Sequence, residues 1–323
     1  MEELAIQGSV SVIVPTIGRA ASLQRMLESL CRQSTKPDEV IIADGSSGIE
    51  TASLVTNERW KREKLHIKRL RVTPPNAVRQ RVAAIAEARS EYLLLLDDDV
   101  VLEPDCIEKM VEILRQDGSV VGVVADLNNQ SWPGPTLAWR LYLRHILGMR
   151  KEEWQGCVVG PLLRFCYNPV PKKLMPMQWL STNNTMIRRC VYHEAGGFSN
   201  FFLHRSTINE DIDLGLKISK FGQIVFCPDA RMGHFHDPAG RVSLKIAAED
   251  DLYNRYLVMR ITQERSAIAA FALVVLYFNI ESASNFVGCL LRLRCEGFWS
   301  RLCGRTCALF RIMSKSGSAM RDR

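Results

Sequence analysis

The chain has 323 residues, 47% of them apolar and 24% charged, with a formal net charge of +7. Those proportions exclude a disordered or fibrous chain, and the length suits one large α/β domain or two smaller ones. The charge is uneven: from Gly288 onward eight Lys/Arg face only Glu296 and Asp322. Such a tail could meet anionic lipid head groups or nucleic acid, or be a solvated helix end.

The ten cysteines form no C-x-x-C pair. Cys31, Cys106, Cys190 and Cys227 fall in apolar or helical patterns and read as buried residues of a reducing compartment. Cys303 and Cys307 lie one helical turn apart without a third or fourth ligand nearby, which argues against zinc. The acidic start Met1-Glu2-Glu3 leads straight to a strand and has no signal-peptide pattern.

Residues 10–15 predict a buried strand. Ser22 is placed to cap a helix whose apolar face is Leu23, Met26, Leu27, Leu30 and Cys31. Residues 40–43 are a second strand, followed by the loop Asp44-Gly45-Ser46-Ser47-Gly48, which completes a βαβ unit. A helical stretch follows at 51–60, then a strand at 65–72. Pro74-Pro75 breaks the chain. Asn76 caps a helix with Val78, Val82, Ile85 and Ala86 inward, and Arg79 near its start is expected to face the strand ends.

Tyr92-Leu93-Leu94-Leu95-Leu96 reads as a strand buried on both faces. It ends in Asp97-Asp98-Asp99, where adjacent carboxylates raise one another's pKa and call for a cation. A divalent metal with oxygen ligands fits, at the strand end where open α/β sheets bind ligands. A solvated acidic turn is the plainer alternative. A helix with Ile107, Met110, Val111 and Leu114 inward and a strand at 120–125 complete a Rossmann-like half, residues 1–125.

Residues 126–177 are rich in Pro, Gly and Trp. Trp132, Trp139, Trp154 and Trp179 are candidates to stack on a sugar, although core packing is the commoner use of Trp. Residues 178–187 predict a strand, residues 192–198 a short helix ending in a glycine turn, and Asn209-Glu210-Asp211-Ile212-Asp213 a second acidic cluster opening a helix at 214–221. An acid at a helix start is favourable, which suits Asp213 but does not explain three acids in four positions. A last strand is expected at 223–227, followed by His234 and His236.

In order, these elements resemble the nucleotide-sugar-dependent glycosyltransferases of the GT-A fold, family 2, from Val10 to about Arg241. The elements are Val-Ser-Val-Ile-Val-Pro-Thr at residues 10–16, Ala43-Asp44-Gly45-Ser46, Ala77-Val78-Arg79-Gln80, Leu96-Asp97-Asp98-Asp99-Val100, Gly196-Gly197-Phe198, Glu210-Asp211-Ile212-Asp213-Leu214, and His234. The resemblance implies an α/β GT-A domain at 1–240, with an acceptor half at 126–240, and a helical extension at 241–323. It implies that Pro15 and Thr16 lie against the nucleotide, that Asp44 accepts from the base and that Arg79 faces nucleotide or phosphate. Asp97 would meet the ribose or the metal shell, Asp98 would point away or touch the sugar, and Asp99 would bind Mg²⁺ or Mn²⁺ with His234 as a further ligand. His236 replaces His234 if the strand register differs by two. Asp211 is implied as the base, Glu210 as the runner-up.

After Arg241, residues 267–278 are continuously apolar, twelve residues against the ~20 that a membrane span requires. A buried or interfacial helix fits better. Residues 290–310 mix Leu, Phe and Trp with Arg292, Arg294, Arg301 and Arg305. The two readings left open are docking on an anionic membrane surface and an intramolecular or homo-oligomer contact.

The function implied is an inverting, metal-dependent transferase acting on a UDP- or dTDP-sugar and a saccharide or lipid-linked acceptor in cell-surface polysaccharide synthesis. It would work in the cytoplasm, peripherally at the inner face of the cell membrane, with no nucleic-acid partner. The alternatives are transfer to polyprenyl phosphate and an inactive nucleotide-sugar-binding scaffold. A NAD-dependent enzyme is disfavoured because no G-x-G-x-x-G follows the first strand.

Overall fold

The computed structural model describes residues 8–130, 134–150, 157–166, 173–236, 242–291 and 297–318. Residue contacts divide the chain into two compact units, Met1–Trp132 with Pro169–Ala239, and Pro133–Asn168 with Gly240–Arg323. Residues 133–168, which the sequence assigned to an acceptor half, thus cluster with the C-terminal helices.

The first unit begins with β1 (Val10–Thr16), α1 (Ala20–Cys31), β2 (Glu39–Asp44), the short helices α2 (Glu50–Val55) and α3 (Arg59–Arg62), and β3 (Ile67–Arg71). It continues with α4 (Ala77–Ala86), β4 (Tyr92–Leu96), β5 (Val100–Leu102), α5 (Cys106–Gln116) and β6 (Val120–Leu127). Leu93 to Leu96 in β4 are wholly buried, and each such side chain contributes about 2 kcal/mol by leaving water. Helix α1 begins before Ser22, which is buried in its first turn and accepts from Arg25, so it is not the expected cap. Asn76 is a true cap: its Oδ1 accepts from the Arg79 N–H at 2.9 Å. Cys106 and Cys227 are buried as expected, but Cys190 is exposed.

The second unit opens with α6 (Leu137–Leu141), which runs into a π-helical turn at Tyr142–Ile146, and the hairpin of β7 (Cys157–Val159) with β8 (Arg164–Cys166). Back in the first unit come β9 (Met175–Met177), β10 (Asn184–Arg188), α7 (Arg189–Glu194), α8 (Glu210–Ile218) and β11 (Gln223–His234). Nine described strands form one mixed sheet in the order β3-β2-β1-β4-β10-β6-β11-β5, with β9 also on β11. Strands β1 to β4 run parallel, and β10 enters antiparallel between β4 and β6.

Two departures from the sequence reading position the site. Strand β5 was not expected, because three residues show no period. Strand β11 was expected to stop at Cys227, because Pro228 has no N–H for the ladder. The strand instead bulges: Cys227 lies opposite Ala125 and Arg231 opposite Asp126, so Pro228, Asp229 and Ala230 are looped out. Beyond the bulge β11 pairs with β5 and sets His234 beside Val100. The Phe235 N–H then donates to the Asp99 carbonyl at 2.8 Å.

In the second unit, α9 (Leu244–Ile261), α10 (Ala267–Leu290) and α11 (Phe298–Ser318) pack on one another, and α6 packs on α10. Arg255 is buried, held by Asp251 at 2.7 Å, by the Leu162 and Leu163 carbonyls, and over the ring of Tyr277 at 4.1 Å. The Glu281 carboxylate accepts from Trp139 Nε1 at 2.8 Å and Arg305 at 3.2 Å, with Arg164 at 3.6 Å. Trp139 and Trp179 are therefore core residues, not open platforms for a sugar; Trp132 and Trp154 lie outside the described residues.

Helix α10 is longer than the twelve-residue apolar run, because Asn279 and Glu281 continue it. At 24 residues and a mean hydropathy of 1.6 it is long and apolar enough to cross a membrane, alone among the described residues. The basic tail is also partly spent inward. Arg305 is buried on Glu281, and Arg311 pairs with Glu249 at 3.3 Å over the ring of Tyr253.

Removing one partner of a buried ion pair leaves the other charge without compensation. Glu281→Ala should therefore lower unfolding stability by about 3 kcal/mol, read as a lower urea midpoint. Glu281→Gln, which can still accept from Trp139, should lose less. Equal midpoints for wild type and Glu281→Ala would show that the network adds no stability.

Candidate active site

The C-terminal ends of β1 and β4 and the first turns of α4 and α8 surround a cavity of about 340 Å³. Pro15 and Thr16 reach it from β1, Asp97 and Asp98 from the end of β4, Arg81 from α4 and Glu210 from α8. Gln80 fastens the strand ends, its amide donating to the carbonyls of Thr16 at 2.8 Å and Ala43 at 2.6 Å.

The acidic triplet is divided among Arg81, Arg19, His234 and the Thr16 hydroxyl. Arg81 donates to Asp97 at 2.6 Å and, from its other arm, to Glu210 at 2.9 Å. Arg19 approaches Asp98 at 3.3 Å and Asp99 at 3.7 Å. His234 Nε2 lies 3.0 Å from Asp99 Oδ1. The Asp98 carboxyl also accepts from the Thr16 hydroxyl at 2.6 Å, yet burial pushes it up to about 6. The chain itself thus supplies part of the positive charge that the sequence assigned to a metal.

Asp98 faces the cavity rather than pointing away. Arg79 does not face it. Its guanidinium donates to the carbonyls of Pro74 at 3.1 Å and Leu203 at 2.7 Å and meets His204 Nδ1 at 3.1 Å. The arginines at the carboxylates are Arg19 and, from α4, Arg81, both of which the sequence reading passed over as site residues. The signal was present: Arg81 lies three residues after Val78 and four before Ile85, on the inward stripe of α4, where a cation must find an acid.

Asp44 is wholly buried, and its carboxylate already accepts from the Ser46 N–H at 2.8 Å and from Arg69 at 2.8 Å. It is not among the described residues lining the cavity. The Gly45 turn beside it is forced: a Cβ there would come within 2.7 Å of the Pro75 Cβ.

The second acidic cluster starts α8 itself, not a later helix. Asn209 precedes it with φ +72°, a left-handed conformation that Asn adopts more readily than most residues. Glu210 turns inward to Arg81 and to the Thr182 hydroxyl at 3.1 Å. Burial outweighs the guanidinium and pushes its carboxyl up to about 7. Asp211 stays half-buried, with Oδ1 accepting from the Ile212 N–H at 2.8 Å. Asp213 is wholly buried on Ser199 and Lys217, as a structural helix-start residue would be.

His234 Nδ1 receives the side-chain amides of Gln130 at 2.9 Å and Asn183 at 3.2 Å. Nε2 is the ring nitrogen on the Asp99 side, 3.0 Å from Oδ1. Gln130 also contacts His236 Nε2 at 2.9 Å, and the two rings lie 4.0 Å apart. One ligand atom each from Asp99, His234 and His236 falls within 4.8 Å of the others. An oxygen with two imidazole nitrogens fits a divalent cation, and the nitrogens favour Mn²⁺ over Mg²⁺. Both histidines are at hand because they alternate along one extended stretch, whereas Asp97, the other expected ligand, is committed to Arg81.

The cavity thus lies at the parallel strand ends, with the acidic triplet and the His234–Asp99 pair beside it, on a sheet of the GT-A fold. Residues 11–167 match the family described as Glycosyl transferase family 2, and the chain carries a family-2 glycosyltransferase domain. It is 26% identical over 239 residues to the O-antigen biosynthesis protein RfbC of Myxococcus xanthus, covering 72% of this chain but only 18% of that protein. It is 23% identical over 257 residues to the N-acetylglucosaminyl-diphospho-decaprenol L-rhamnosyltransferase of Mycobacterium tuberculosis, covering 72% of this chain and 80% of that one. In fold it is similar to Staphylococcus aureus TarS 1–349, with a TM-score of 0.56, 16% identity and coverage of 94% of this chain and 82% of that one. It is likewise similar to the mannosyltransferase PcManGT of Pyrobaculum calidifontis in complex with GDP-Man and Mn²⁺, with a TM-score of 0.54, 16% identity and coverage of 96% and 89%.

The carboxyl of Glu210 has a consequence for pH. Its folded pKa lies above the ordinary 4.5, at about 7. The native state therefore holds more protons than the unfolded state in that window, and stability falls as pH rises through it. Urea midpoints of the metal-free protein across the window should decline, and Glu210→Gln should flatten the decline. An equal slope in the variant would place the titrating group elsewhere.

Proposed function

We propose that this chain is an inverting, metal-dependent glycosyltransferase. It moves a sugar from a nucleoside-diphosphate sugar, a UDP- or dTDP-sugar, to a saccharide or lipid-linked acceptor in cell-surface polysaccharide synthesis. The observation that carries the reading is the Asp97–Arg81–Glu210 bridge lining a cavity of about 340 Å³, together with Asp99 and His234, which lie 3.0 Å from each other. The names of the O-antigen and decaprenyl-diphosphate relatives favour a lipid-linked acceptor.

Pro15 and Thr16 border the nucleotide in this reading, and Asp44 shapes the loop against the base. Arg81, in place of Arg79, holds Asp97 toward the ribose. Asp99 and His234, with His236, would hold a divalent cation, Mn²⁺ in preference to Mg²⁺, which would supply positive charge opposite a departing diphosphate. Asp98 faces the donor sugar.

Asp211 is the base. It removes the proton of an acceptor hydroxyl as that oxygen bonds to the anomeric carbon. The bond from that carbon to the diphosphate breaks on the opposite face, its electron pair leaves with the diphosphate, and one displacement inverts the centre. Glu210 is less suited, because it is buried and already engaged by Arg81 and Thr182. It positions Arg81 instead. The enzyme works in the cytoplasm at the inner face of the cell membrane.

Incubation with a panel of nucleotide sugars, with Mn²⁺ or Mg²⁺, should reveal hydrolysis or a thermal shift for a UDP- or dTDP-sugar. Asp211→Asn should lower turnover by at least about a hundredfold, the scale of general-base catalysis, while donor binding is kept. Full turnover in that variant would move the base elsewhere. Chelator or His234→Ala should weaken donor binding; equal binding with and without chelator would remove the cation from the reading.

A further inference from the structure

The two oxygens of the Asp99 carboxylate face different groups. Oδ1 lies 3.0 Å from His234 Nε2, on the side where His236 completes the candidate cation ligands. Oδ2 lies 3.7 Å from Arg19 Nη1. The same nitrogen lies 3.3 Å from Asp98 Oδ1. One guanidinium thus spans both buried acids of the triplet, and Arg19 itself lines the cavity.

The two arginines at the triplet are held differently. Arg81 is 3% exposed and reaches its acids at 2.6 and 2.9 Å. Arg19 is 21% exposed and stands in the turn just before α1. It approaches its carboxylates at 3.3 and 3.7 Å, longer than the roughly 2.7–2.9 Å of a charge-assisted hydrogen bond. Longer contacts from a more exposed side chain cost less to break. Arg81 is therefore a fixed part of the wall, and Arg19 holds the charge that can be exchanged.

Resting on the reading that the site takes a divalent cation and a nucleoside diphosphate, we propose that Arg19 couples the two. It competes with the cation for Asp99 and releases that carboxylate when a donor diphosphate receives its guanidinium. Two positive charges on one carboxylate repel, and between side chains as buried as Asp98 and Asp99 the repulsion is weakly screened. Without a diphosphate, Arg19 neutralises the two acids and keeps affinity for the cation low. A diphosphate in the cavity offers oxygens that the guanidinium fork can bridge. Arg19 then leaves Asp99 to the cation, so donor and cation each strengthen the other's binding. The role is one of positioning charge; Arg19 takes no proton and makes no bond to the sugar.

Mn²⁺ binding to the full chain can be measured by equilibrium dialysis, with and without UDP or dTDP, at free Mn²⁺ corrected for the nucleotide complex. Without nucleotide, Arg19→Gln should bind Mn²⁺ at least about tenfold more tightly than wild type. Arg19→Lys keeps the charge and should stay close to wild type. Nucleotide should raise the wild-type affinity for Mn²⁺ at least about fivefold, and Arg19→Gln should lose most of that gain. Mn²⁺ alone should also raise the melting temperature of Arg19→Gln more than that of wild type. Equal Mn²⁺ affinity of wild type and Arg19→Gln without nucleotide overturns the proposal and leaves the cation site standing. A nucleotide-dependent gain that is absent from wild type, or kept in full by Arg19→Gln, overturns the coupling. Absence of Mn²⁺ binding in all three forms overturns the cation reading itself, and this inference with it.

Discussion

The first unit depends on how it holds three adjacent carboxylates at the end of a buried strand. Two of them, Asp98 and Asp99, are almost inaccessible to water, where unpaired charge is very costly. Arg19, the Thr16 hydroxyl and His234 offset part of that cost, and Arg81 reaches two further acids at once, Asp97 from the strand and Glu210 from α8. A guanidinium suits this better than an ammonium, because its terminal nitrogens are held apart in a fixed plane and address separate partners. The same side chain thus compensates charge and ties α4, β4 and α8 into one wall of the cavity.

The other wall follows from β11. Its bulge absorbs a proline and lets one strand serve two sheet neighbours, β6 before the bulge and β5 after it. The second pairing brings His234 to Asp99, more than a hundred residues earlier in the chain. The His–Asp contact is therefore a product of strand register, and a shift of one residue would turn the histidine to the opposite face. Gln130 and Asn183 then hold the ring through its Nδ1.

Polar burial is also decisive in the second unit. Glu281 and Asp251 each organise buried arginine and aromatic partners, so helices that look merely apolar and basic in sequence are pinned in one orientation. The pinning uses up charges of the C-terminal helix and leaves those of α6 outward. The outer side of α10 stays apolar and exposed, an arrangement that monomeric surfaces seldom show without a partner.

The order of strands and helices through β6, apart from β5, the buried strand before the triplet and the Asn76 cap were legible from local pattern. Spacing, turn residues and apolar runs act over a few residues, and the chain states them directly. The resemblance to family 2, rather than local pattern, implied Asp97, Asp99, Glu210, Asp211 and His234 as candidates. The sequence reading assigned the wrong arginine, because Arg79 and Arg81 differ only in which side of α4 they occupy, and it missed β5 and the continuation of β11. It also read Asp44 as open to a ligand, although that residue is enclosed by Ser46 and Arg69. Those features rest on contacts between distant segments, where burial decides which charge needs a partner and register decides which partner is in reach. Local pattern therefore determined the elements and the chemical types at the site, and only the tertiary structure decided the pairings among them.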